Sequence, residues 1–240
     1  MKPVRRLAKT YGESGLSGVA QALGRKLKKS GIPQITWTNE IYWISAAQPG
    51  WLDRGNINCF DYAMKRLPSD APIVEVGAFC GLSTNMLAHL KDTHGRRNVL
   101  ITCDRWLWST DEYNEFIKQT FIRNVKMFSP KDPPYAIEVY SDEFFEKWTG
   151  GAKVQDVLGR SVTLGGPISF AYIDGDHEYA PVKRDFKNVD RYLQVGGFVL
   201  FDDSSEHSAW GVNKLMLEIK EIGRYKLLDK NPHYFWEKLA

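Results

Sequence analysis

Nowhere does the 240-residue chain hold the roughly 20 consecutive apolar residues that a membrane span requires. Its first residues also lack the apolar core of a secretory signal. Cysteine is scarce: Cys59, Cys80 and Cys103 have no metal-type spacing, and their odd number argues against a disulfide framework. All three lie in apolar surroundings, where a free thiol behaves as a small hydrophobe, and a reducing cytoplasm is the expected setting. Charge of one sign is missing too. A net charge of +3 gives no global attraction to nucleic acid, so no such partner is expected. There is no internal repeat, no G-x-G-x-x-G dinucleotide turn and no G-K-[ST] phosphate loop.

What is present is ordinary for a globular chain: 43% hydrophobic and 25% charged residues, with room for one large domain and an appendage. Three pieces are expected. Residues 1–30 form a basic arm, in which Lys2, Arg5, Arg6, Lys9, Arg25, Lys26, Lys28 and Lys29 face a single acid, Glu13. Within it "GLSGVAQALGRKL" reads either as a short amphipathic helix touching a membrane surface or acidic partner, or as a solvated arm. Residues 31–70 are rich in aromatics and are expected to make a helical lid or cap against the rim of a sheet.

From about residue 71 to 240 short apolar runs alternate with helical patterns. Strands are expected at 72–76, 98–104, 136–140, 168–174 and 198–201, helices at 83–93, 111–128, 181–193 and around 209–222. Gly196 and Gly197 are expected to stop the third of these helices, and a hairpin turns at Asn231-Pro232. This is the pattern of an α/β fold, a mostly parallel Rossmann-like sheet with helices on both faces. Ligands of such sheets collect at the carboxyl ends of the strands. Here nearly every strand delivers an acid to that rim.

"EVGAFCGLST" (75–84) joins the first strand to its helix. Gly77 and Gly81 let the backbone approach a ligand, the helix start offers free N–H groups, and Ser83 and Thr84 add hydroxyls. Asp104 ends the second strand, where a carboxylate can accept two bonds from a ribose. Asp142 reads either as a neighbour of an adenine amino group or as an exposed turn aspartate. Together these describe an adenosine-type ligand with an anionic tail. S-adenosylmethionine (SAM) suits that description better than NAD or ATP.

The segments "EVGAFCGLST", "TCDRW", "YIDGDHEY" and "GGFVLFDD" resemble motifs of the class I SAM-dependent methyltransferases, and among them the metal-dependent macrocin-type sugar O-methyltransferase group. The resemblance spans residues 72–236 and implies a seven-stranded sheet whose last strand runs antiparallel. It implies cofactor contacts from Glu75, Gly77, Ala78, Gly81, Ser83 and Thr84 in the turn, and from Asp104, Arg105, Asp142 and Asp174. If the fourth and fifth strands are neighbours, Asp174, Asp202 and Asp203 converge, and the resemblance makes them ligands of a divalent cation, Mg²⁺ by preference. Capping and ion pairing are the other uses those aspartates could have. His177, just past the fourth strand, can take a proton near neutral pH, and its counterpart in the family is the proposed general base. Asp176 is expected to face solvent.

The implied reaction is methyl transfer to a hydroxyl of a small polyhydroxy substrate, a sugar or a catechol-like molecule. Eight tryptophans, among them Trp106 and Trp108 beside Asp104 and Trp210 after the fifth strand, suit either sugar stacking or packing. A metal-independent O- or N-methyltransferase, a metal-dependent hydrolase and a non-catalytic SAM-binding module stand as alternatives. A homo-oligomer is compatible with all of them.

Overall fold

The computed structural model describes residues 31–240. The basic arm, with its amphipathic-helix reading, lies outside them. Two helices come first, α1 (Asn39–Ala47) and α2 (Arg54–Arg66). Then follow β1 (Ile73–Val76), α3 (Leu82–Thr93), β2 (Leu100–Asp104), α4 (Asp111–Phe128), β3 (Tyr135–Glu138) and α5 (Ser141–Thr149). A small hairpin, β4 (Lys153–Gln155) and β5 (Ser161–Thr163), leads to β6 (Ile168–Ile173), α6 (Tyr179–Tyr192) and β7 (Leu193–Phe201). The chain closes with α7 (Val212–Ile222), β8 (Tyr225–Lys230) and β9 (Tyr234–Lys238).

The sheet has seven strands in the order β3-β2-β1-β6-β7-β9-β8. Pairs from β3 through β7 are parallel, while β9, the last strand of the chain, runs antiparallel between β7 and β8. This is the mixed Rossmann-like sheet that the pattern predicts. Side chains alternate between its faces. Ile73, Leu100, Phe170, Tyr172, Phe198 and Phe235 meet α1, α2 and α3 on one face. Val74, Ile101, Ala171, Val199 and Trp236 meet α5, α6 and α7 on the other. All three cysteines are buried and unpaired.

Two local expectations are corrected. Gly196 and Gly197 do not end α6, which stops at Tyr192; they lie inside β7. There the register jumps from Ile168↔Leu193 to Phe170↔Phe198, and a bulge absorbs the extra residues. A Cβ on Gly197 would stand only 2.8 Å from the Gln194 carbonyl and 3.0 Å from that of Ser169. Ser141 and Asp142 belong to the first turn of α5, not to a strand end. Of the two uses expected for it, Trp106 takes packing, buried against Phe121. Among the described residues no helix is long and apolar enough to cross a membrane.

Candidate active site

The parallel register decides what meets at the rim. Each strand end extends its ladder by one bond: Gly77 N–H donates to Cys103 O (2.9 Å), Asp174 N–H to Val76 O (2.8 Å) and Asp202 N–H to Ile173 O (3.0 Å). Gly77, Asp174 and Asp202 are thereby laid side by side. The Gly77 turn is closed against its neighbour. With φ at +89°, an added Cβ would fall 2.0 Å from the Asp174 carbonyl oxygen, so only glycine is accommodated.

Two adjoining cavities open over these strand ends. One, of about 360 Å³, is lined by Trp51, Ala78, Phe79, Ser83, His177, Asp202 and Asp203. The other, of about 440 Å³, is lined by Arg105, Tyr140, Asp142, Asp176, Arg184 and Asp185. Gly77, Asp104, Trp108, Asp174 and Gly175 border both. Each volume lies in the range of small-molecule sites.

The expected cofactor residues divide. Gly77, Ala78, Ser83, Asp104, Arg105, Asp142 and Asp174 line a cavity. Glu75, Gly81 and Thr84 do not. Glu75 is fully buried in β1, and its two oxygens accept bonds from the Ser83 and Thr84 hydroxyls, both at 2.5 Å. It ties α3 to the sheet from below, and burial pushes its carboxyl up to about 7. Gly81 caps α3 with φ at +90°, close against Phe121. Asp104 is largely committed already: it accepts bonds from the Ala78 (2.8 Å), Phe79 (2.9 Å) and Trp106 (2.6 Å) amides, which hold the turn open. Burial raises its carboxyl, and those amides pull against the rise. Asp142 is paired with Arg184 (3.2 Å) on the outer lip of the second cavity.

Around Asp202 the chain builds a polar cluster. One of its oxygens accepts from Asn56 Nδ2 (2.6 Å) and Tyr172 OH (2.9 Å), and His233 Nδ1 stands 3.0 Å away. Burial works to raise the Asp202 carboxyl, but His233 and these donors outweigh it and hold it below the usual range. Asp174, beside it, is pushed well up by burial and by the charge of Asp202. His233 is caught between burial, which lowers its pKa, and Asp202, Asp53 and Asp203, which together raise it. Among the described residues, the metal-capable group whose ligand atoms all lie within 4.8 Å is Asp202, Asp203 and His233. Asp174 is outside that group, though its carboxyl lies against that of Asp202.

His177 faces the first cavity, its Nδ1 3.5 Å from an Asp203 oxygen and its ring 5.4 Å from that of Trp210. Asp203, on a backbone with φ at +47°, stands beside it with no direct hydrogen bond between the two. Asp176 is exposed and accepts the Glu178 amide. Asn56, Tyr172 and His233 escape sequence reasoning. Asn56 lies in a segment with no motif, Tyr172 reads as one more apolar strand residue, and His233 reaches the rim only because β9 inserts beside β7.

Residues 74–204 match the family described as a methyltransferase domain, Methyltransf_24. The chain belongs to this methyltransferase family. Over 69 residues it is 38% identical to protein R132 of Acanthamoeba polyphaga mimivirus, a stretch of 26% of this chain that spans only 30% of that relative. Several solved structures share the fold. An O-methyltransferase from Bacillus cereus in complex with S-adenosylhomocysteine (SAH) superposes with a TM-score of 0.56 at 13% identity, covering 92% of this chain and 97% of that one. CalS11, a calicheamicin methyltransferase, gives 0.53 at 15%, covering 98% and 90%. A putative O-methyltransferase from Klebsiella pneumoniae gives 0.55 at 14%, covering 92% and 96%.

Proposed function

We propose that the protein is a SAM-dependent O-methyltransferase acting on a hydroxyl of a small ring-shaped polyol, a sugar or glycosylated metabolite, as in the macrocin-type group. One observation carries the reading: two cavities meet at Gly77 and Asp174, with His177 in the wall of one of them. The cofactor's adenosine suits the second cavity, where Asp104 keeps one acceptor position, on Oδ1, for a ribose hydroxyl. Its amino-acid end suits the first, at Ser83 and the α3 start. SAM supplies an electrophilic methyl group, and the chain supplies alignment and the proton acceptor. His177, with Asp203 beside it, takes the proton of the acceptor hydroxyl. Trp51, Phe79 and Trp108 form a run of rings, with centroids 5.5 and 4.9 Å apart, along which a sugar face can lie.

The donor set at Asp202, Asp203 and His233 fits a divalent cation, which would stabilise charge on the acceptor oxygen. A metal-independent transferase is the second reading, favoured by the same histidine. An imidazolium there would offset the charge of one of those carboxylates with no ion.

Calorimetry with SAH tests the cofactor, and label transfer from SAM to glycosides, polyols and catechols tests the acceptor. SAH is expected to bind wild type and His177→Ala alike, while the variant loses about 10²–10⁴-fold in turnover. Absence of SAH binding to wild type would refute the reading. Full turnover in His177→Ala would remove the base.

A further inference from the structure

His177 carries the proposed proton transfer, yet little holds its ring. The Asp203 carboxylate oxygen stands 3.5 Å from Nδ1, beyond the roughly 2.7–3.2 Å of an N–H···O bond. Among the described residues no hydrogen bond fixes the imidazole. A side chain tied only at its backbone turns about two torsions, whereas a base must present one nitrogen to the cavity. The contact that remains is the Trp210 ring, 5.4 Å away and tilted by 39°. That separation lies within the roughly 4.5–7 Å of paired rings. Trp210 is 46% exposed and lines neither cavity. It adds little to the core, and its tie to the first cavity runs through His177.

The loop that presents Trp210, residues 202–211 between β7 and α7, is braced along its length. Ser204 Oγ donates to the Phe201 carbonyl and accepts from the Tyr234 amide, both at 2.8 Å. Glu206 pairs with Lys230 and accepts from Tyr234 OH (3.3 Å). The Trp210 amide donates to Ser208 Oγ (3.2 Å). At the far end, a Cβ on Gly211 would stand 2.3 Å from the Tyr179 backbone nitrogen. The loop therefore lies hard against the first residue of α6, two positions past His177. Since Asp203 belongs to the same loop, one segment flanks the histidine twice, with a carboxylate toward Nδ1 and an indole beside its ring.

Resting on the methyl-transfer reading above, we propose that Trp210 is a positioning residue: its ring restrains the His177 imidazole in the pose that presents a nitrogen to the acceptor hydroxyl. Gly211 lets the two loops touch and so fixes the separation of the rings. A base free to turn is in place only part of the time, so losing the restraint lowers kcat and leaves binding alone.

The test uses the full chain with SAH bound and its histidines labelled with carbon-13. The His177 signals, among those of five histidines, are the ones missing from His177→Ala. Ring relaxation is expected to show an ordered imidazole in wild type, loss of that order in Trp210→Leu and its recovery in Trp210→Phe. Kinetics use the glycoside, polyol or catechol that takes up label most readily. Trp210→Leu is expected to lower kcat about tenfold or more, with KM and the SAH Kd within about threefold of wild type. Trp210→Phe is expected to bring kcat back to within about threefold. An imidazole as ordered in Trp210→Leu as in wild type, an unchanged kcat, or no recovery in Trp210→Phe would each overturn the proposal. A raised KM at constant kcat would overturn it too, making Trp210 a platform for the acceptor. Loss of SAH binding by wild type would strike the methyl-transfer reading, while ring order in the ligand-free chain still decides whether Trp210 holds His177.

Discussion

Glu75 shows how a single side chain can look like a ligand residue and serve another end. Its carboxyl sits at the heart of β1 with the Ser83 and Thr84 hydroxyls for company. Burial raises it from an ordinary 4.5 to about 7. Below the first value both folded and unfolded chains hold the proton, and above the second both have lost it. Between them the unfolded chain has released a proton that the folded chain keeps, so folding stability falls as pH rises, by up to about 1.4 kcal/mol per unit. In Glu75→Gln that slope is expected to vanish while the hydroxyl contacts persist. Denaturant unfolding at pH 5 and pH 7.5 measures it, and equal slopes in both proteins would refute the assignment. The residue was singled out for its place in a motif. Sequence shows that a carboxylate precedes the glycine turn, but the alternation of β1 decides that it points toward α3 and lines neither cavity.

At the scale of elements, α2 has a double task. Phe60 packs edge-on against Tyr172 (5.0 Å) and Phe170 (5.9 Å), while Asn56, one turn earlier, reaches Asp202. The helix both seals the sheet and sets the polar cluster. Phe60→Ala is expected to lower stability by about 3–5 kcal/mol. It should move the urea midpoint without changing the m-value, and a shift equivalent to under 1 kcal/mol would show that the helix packs elsewhere. The alternation of strands and helices and the glycine turn were legible from local periodicity, while the adjacency of Asp174 and Asp202 was legible only as what the family resemblance implies. The contributions of Asn56 and His233 were not. They depend on contacts across 146 and 177 residues, which no local pattern encodes. The β7 bulge was hidden for a related reason: two glycines after a helix read as a stop until the register with β6 is known.

Across the whole molecule, the binding rim has no single owner. Its walls come from the α1–α2 connection at Trp51, the β1 turn, the end of β2, the β6 loop and the end of β7. The helices before β1 share one apolar cluster with Phe170, Phe198 and Phe235, so residues 31–70 complete the core as well as covering the rim. Within residues 31–240, ligand binding at this rim is therefore expected to require the shared core to be folded. SAH at about 100 times its Kd should add about 2.7 kcal/mol to the folded state. For a domain of this size that corresponds to a rise in Tm of roughly 5–10 °C. The transition is expected to remain single and to move as one, whether followed by near-UV circular dichroism or by calorimetry. Two transitions, of which SAH shifts only the later, would mean that α1 and α2 melt independently and that the rim is closed by a detachable cap.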